Sequence, residues 1–91
     1  MLVMIKYGCN NPAESWKLEM ANENDTIVLI QNGVFWAISE ELDSYLEKNL
    51  NIVAIEPDFL ARGYREEDSK VPLISYDDLV GLIEAQPKSM G

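Results

Sequence analysis

The chain carries a single thiol, Cys9, and no histidine. The chemistry open to it is therefore narrow. Without an imidazole there is no Ser-His-Asp triad and no histidine-held metal, so neither a metal site nor a cofactor is expected. Asp77 and Asp78 are adjacent on a helical pattern, where neighbouring side chains point apart and cannot share a substrate. Glu66-Glu67-Asp68 contains no glycine and does not make a calcium loop. No glycine-rich phosphate loop of either common kind occurs.

Three features remain. Cys9 could act as a thiolate, because a following helix start lowers a thiol pKa. Asn32-Gly33 could present backbone N–H groups to an anion. Arg62, in Ala61-Arg62-Gly63, could hold a phosphate or a persulfide-bearing partner. Each also has a plainer reading. Cys9 reads as a tolerated small loop residue, Asn32-Gly33 as a tight turn, and Arg62 as a last-turn cation that caps its helix or pairs with a nearby carboxylate.

Those residues must be positioned by the elements around them. Four apolar runs recur, near 2–7, 26–31, 51–55 and 71–75, and each is followed by a helix-start signal. Asn11-Pro12-Ala13-Glu14 reads as a cap, a proline at the first helical position and a capping-box glutamate. It opens a helix near 12–22 whose apolar stripe is Ala13, Trp16, Met20 and Ala21. Glu56-Pro57-Asp58 starts a short helix near 57–62 that stops at Gly63. Ser75 caps a last helix, near 76–86, that Pro87 ends. Cys9 follows the first run and precedes the Asn11 cap, which puts it at the C-terminal edge of a sheet, where open α/β folds place their sites.

The second run poses a question. Asn32-Gly33 between apolar segments is a strong hairpin signal. Yet Thr26 to Ile30 is apolar on both faces, as in a buried parallel strand. Val34, Ile38, Leu42, Tyr45 and Leu46 then fall at helical spacing, which predicts a helix over 33–48, with a break near Ser39 where Ser-Glu-Glu resembles a fresh cap. The fold predicted is α/β: one (βα)₄ domain with a four-stranded, all-parallel sheet. Sequential strand order would put the first three helices on one face and leave the other to the last helix. The order 2-1-3-4 would cover both. On the last helix Tyr76, Leu79, Val80 and Ile83 form a stripe that Leu82 widens, and Gly81 and Ala85 permit close approach on the other side. Tyr76, Leu79, Gly81, Leu82 and Ala85 are accordingly expected at a dimer interface. Trp16, Phe35, Trp36 and Phe59 are expected in the core or an interface, since nothing basic is interleaved with them.

Ninety-one residues make a thin core, so oligomerisation is a plausible supplement. A net charge of −9 disfavours direct contact with nucleic acid or an anionic membrane and leaves proteins or small molecules as partners. One cysteine excludes an intramolecular disulfide framework and suits a reducing cytoplasm. Lys6 interrupts the opening apolar run, which reads as a strand and not a signal peptide, and no run nears the ~20 residues that span a bilayer.

Three segments, "LIQNGVFWAIS", "VAIEPDFLARGY" and "VPLISYDDLVGLIE", together resemble the DsrH/TusB family of small sulfur-relay subunits. The motifs are Leu29–Val34, Asp58–Gly63 and Ile74–Val80, in matching order and spacing over about two thirds of the chain. The resemblance implies a DsrE-like fold with flavodoxin-like layering and assembly with DsrE- and DsrF-like subunits. It also implies a part in passing persulfide sulfur, toward 2-thiouridine in transfer RNA or in sulfur oxidation. In the catalytic subunits of such complexes a cysteine follows the third strand. Here that place reads Ile55-Glu56-Pro57-Asp58, and the position near Lys17, where some members carry a cysteine, lacks one too. A structural subunit is therefore expected. A persulfide carrier using Cys9, and a stand-alone homodimer binding a small anionic ligand near Asn32-Gly33, are the alternatives.

Overall fold

A computed structural model describes residues 1–85 and 89–90. The predicted end of the last helix at Pro87 lies outside the described residues. Strand β1 (Leu2–Ile5) is followed by helix α1 (Pro12–Met20), and β2 (Thr26–Leu29) by a 3₁₀ helix over Gln31–Ile38. A 3₁₀ turn (Glu40–Leu42) leads into α2 (Asp43–Leu46), then β3 (Asn51–Ile55) and α3 (Glu56–Ala61). A further 3₁₀ turn (Glu66–Asp68), β4 (Leu73–Ile74), α4 (Tyr76–Ala85) and β5 (Ser89–Met90) complete the order.

The four predicted strands pair in parallel, in the sequential order β4-β3-β2-β1, with β5 added in parallel beyond β1. The hairpin is excluded, because β2 pairs with β1 and β3 and the chain coils after Ile30. The single helix expected over 33–48 is instead three short pieces. Ser39 breaks it by accepting a hydrogen bond from the Glu41 N–H, as the Ser-Glu-Glu signal suggests. The apolar spacing nevertheless does its work: Val34 and Leu42 are fully buried, and Ile38, Tyr45 and Leu46 pack against them.

Alternation along the strands makes two cores of unequal thickness. Val3, Ile5, Ile27, Leu29, Ile52 and Ala54 face Leu18 of α1, Val34 and Trp36 of the 3₁₀ helix, and Phe59 of α3. The opposite face presents Leu2, Val28 and Ile55 to Leu79 of α4, with Met4, Ile30, Val53 and Leu82 partly buried around them. Sequential order thus leaves the second face to α4 alone.

One helix face differs from expectation. Trp16 and Met20 are 56% and 62% exposed, and α1 turns Glu14 and Leu18 inward instead. Burial of a carboxylate is unexpected from periodicity, and its cause is the set of partners described below. Gly63 takes φ +87° just after α3, the left-handed stop its position predicts.

Candidate functional site

Parallel strands deliver all their C-terminal ends to one edge. Here that edge is formed by the loop after β1, the start of the 3₁₀ helix, the start of α3 and the start of α4. Two arrangements share it.

The first is an open groove of about 680 Å³ between the β1–α1 loop and the 3₁₀ helix, with Tyr7, Cys9 and Asn11 on one wall and Asn32, Phe35 and Ser39 on the other. Cys9 is free and half-buried, lodged against the larger core. Its loop is pinned at both ends. Asn11 caps α1 by accepting from the Ala13 N–H at 3.0 Å, and the Asn11 N–H bonds back to the Gly8 carbonyl. On the other side the Tyr7 peptide is gripped twice. Its carbonyl accepts the Trp36 indole N–H at 3.1 Å, and its N–H donates to Glu14 at 3.0 Å.

Glu14 is the residue that pattern reading misplaced. It is 1% exposed and does not close a capping box on Asn11. Its carboxylate accepts the Lys6 N–H at 2.6 Å as well as that of Tyr7, and pairs with Lys17 at 2.9 Å. Burial raises its pKa, but the Lys17 ammonium and the two backbone donors outweigh that and hold it below the ordinary carboxylate range. The sequence marks it only as a capping-box glutamate, and nothing there signals its burial.

The second arrangement brings together residues from all three motif segments. Asp58 accepts the Gln31 N–H at 2.7 Å on one carboxylate oxygen and the Tyr76 hydroxyl on the other. Arg62 donates to the Asp58 carbonyl at 2.9 Å and, through Nε and Nη2, to the Asn32 side-chain oxygen at 3.2 and 2.9 Å. The bond to Asp58, together with desolvation and the Asp58 charge, pushes the Tyr76 phenol above its ordinary range. Arg62 thus does what its last-turn position suggests and also reaches the neighbouring strand end.

Asn32 joins the two arrangements, since it lines the groove and accepts from Arg62. The backbone donors around Asn32-Gly33 are largely committed inside the protein: the Gln31 N–H to Asp58 and the Gly33 N–H to the Ile30 carbonyl. Gly33 has a packing reason as well. A Cβ there would stand 1.9 Å from the Ile5 carbonyl oxygen, so only glycine lets the 3₁₀ helix meet the end of β1.

The residues expected at an interface divide. Leu79 is 6% exposed and Leu82 is partly buried, and both lie on the protein's own sheet. Tyr76, Gly81 and Ala85 are exposed, and so are Val80 and Ile83, which leave an apolar flank on α4. Trp36 and Phe59 are core, while Phe35 lies at the groove. Among the described residues, no helix is long and apolar enough to cross a membrane.

Comparison with known proteins places this geometry. A family model described as DsrH-like protein matches residues 10–89. The solution NMR structure of Tm0979 from Thermotoga maritima is 52% identical, covers 99% of this chain and 98% of that one, and superposes with a TM-score of 0.76. A high-resolution NMR structure of the same Thermotoga protein, described there as a candidate sulfur transferase, is 52% identical over 98% of this chain and 97% of that one, with a TM-score of 0.73. No curated protein matches the chain. With the family model spanning residues 10–89 and a 52% identical structure matching almost end to end, this chain belongs to the DsrH-like family.

Proposed function

We propose that this chain is a structural subunit of a sulfur-relay system, one that assembles through α4 and serves persulfide transfer in transfer RNA 2-thiouridine formation or sulfur oxidation. The observation that carries this reading is the C-terminal edge. The junction after β3, where the family's catalytic subunits hold their cysteine, is occupied here by Glu56, Pro57 and Asp58, and Asp58 is spent on internal hydrogen bonds. The description of Tm0979 as a candidate sulfur transferase supports the sulfur chemistry. The exposed flank of Tyr76, Val80 and Ile83, on the one helix covering a thin core, supports assembly. A second copy is the simplest partner, because a two-fold contact would cover the apolar flank of each copy with that of the other. Light scattering on the purified chain should give a dimer at micromolar concentration, and native co-purification should recover DsrE- or DsrF-like chains if the partner is heterologous. A clean monomer with no such companions would overturn the proposal.

A second reading is favoured by the groove. Cys9 lies half-buried in its wall. As a carrier, its thiolate would attack the outer sulfur of a donor persulfide, forming a Cys9 persulfide and releasing the donor thiolate. Incubation with a persulfide donor followed by intact mass measurement should then show a gain of one sulfur that Cys9→Ser abolishes. No gain on the unaltered chain would remove the carrier role and leave the structural one.

A further inference from the structure

α4 is sparsely held. Leu79 and Leu82 are its contacts with the thin core, and its capping pair, Ser75 with Asp78, is local. Among the described residues, the hydrogen bond from the Tyr76 hydroxyl to Asp58 is the only side-chain hydrogen bond joining α4 to a different element. Two leucines fix the distance of a helix from a sheet better than its rotation. A bond from the first turn to a carboxylate on α3 fixes the rotation. That carboxylate is itself immobilised. Its other oxygen holds the Gln31 N–H, at a residue with φ +55°, a left-handed conformation that a non-glycine residue adopts at a cost of ~1 kcal/mol unless its surroundings impose it. Arg62, bonded to the Asp58 carbonyl, then holds the carboxamide of Asn32 in the groove wall.

We infer that Asp58 is the positioning residue for α4, and that it couples the assembly face on that helix to the groove beside Cys9. The inference rests on α4 being the assembly surface. One carboxylate sets both the angle at which Tyr76, Val80 and Ile83 are offered to a partner and the placement of the Gln31-Asn32 corner. Because coupling of this kind is reciprocal, seating a partner on α4 stiffens that corner, and loosening the corner weakens assembly.

Asp58→Ala tests both effects. It removes both acceptors at once, whereas a carboxamide could keep the Gln31 N–H on its oxygen and turn its NH2 toward the Tyr76 hydroxyl. The variant should raise the dimer dissociation constant about tenfold by sedimentation. It should also return the Tyr76 phenol toward ordinary titration by ultraviolet absorbance, and speed amide exchange at residues 31–33 and 79–83 together. Tyr76→Phe keeps the ring and should weaken the dimer equally while leaving exchange at Gln31 slow. Asp77→Asn, which removes a neighbouring charge outside the network, should change none of these. A variant that loses the Tyr76 signature yet dimerises within about twofold of the unaltered protein would overturn the inference. Should the unaltered protein prove monomeric, the assembly reading fails by itself. The coupling then stands if Asp58→Ala loosens both segments, and falls if it loosens only one.

Discussion

One face of the sheet is roofed by three helical segments closing over Trp36 and Phe59, which are 1% and 0% exposed, whereas the other has α4 alone and leaves Met4, Ile30 and Val53 partly open. Both faces are equally apolar in sequence, since each parallel strand alternates between them. The difference arises from connectivity. Right-handed crossovers in sequential order send three consecutive helical connections to the same side. The thick face therefore carries most of the burial that stabilises the chain, and the thin face is left with unspent apolar surface. If the chain assembles through α4 as proposed, stability and association are divided between the two sides of a single sheet.

The largest test of that division falls on the thick side. Gly33→Ala drives a Cβ to within van der Waals overlap of the Ile5 carbonyl, so the 3₁₀ helix must lift from β1. A loss of about 3–5 kcal/mol, read from urea midpoints, is expected. A loss under ~1 kcal/mol would mean that this junction does not anchor the thick face.

Next comes the buried carboxylate beneath the groove loop. The Lys6 and Tyr7 donors share one carboxylate oxygen and Lys17 faces the other. Glu14→Gln therefore removes the charge and the oxygen opposite Lys17, which should cost about 2–3 kcal/mol at neutral pH. Its folded-state pKa is depressed, so its contribution is complete above the unfolded carboxylate value and is lost as pH falls through the folded one. Denaturation midpoints of the unaltered protein should fall between about pH 5 and pH 3 more steeply than those of the variant. Parallel curves would separate Glu14 from the acid response.

The smallest effect on stability should come from the thin side. Val80 is 52% exposed, and Val80→Asp should shift monomer stability by no more than about 0.5 kcal/mol. Association should weaken by at least about 100-fold in the same variant, because a charge must then be desolvated in an apolar contact. Unchanged association would move the assembly surface away from α4.

Much of this architecture is legible in the residues themselves. The caps at Asn11 and Ser75, the stop at Gly63 and the break at Ser39 are local hydrogen-bonding and backbone preferences, and each appears where its signal stands. The parallel arrangement follows from Thr26–Leu29 being apolar on both faces. What escapes is whatever depends on partners distant in sequence. Nothing near Glu14 announces that Lys6 and Tyr7 will turn their N–H groups toward it, and so Trp16 and Met20 look like the inward face when they are not. Asp58 reads only as part of a helix start. The two partners of its carboxylate, 27 and 18 residues away, come from other strand ends that only the assembled sheet brings close. β5 is two residues long, too short to carry any periodicity.

The placement of Glu14 has a consequence for how molecules of this protein can meet. Beyond β1 the sheet would offer a bare flank to any extended peptide, a template for runaway cross-β stacking. β5 occupies that flank at Leu2 and Val3, and just past it the Lys6 and Tyr7 amides are plugged by Glu14 while Lys17 takes the Met4 carbonyl at 3.3 Å. Sideways recruitment of foreign strands is thereby blocked along this border.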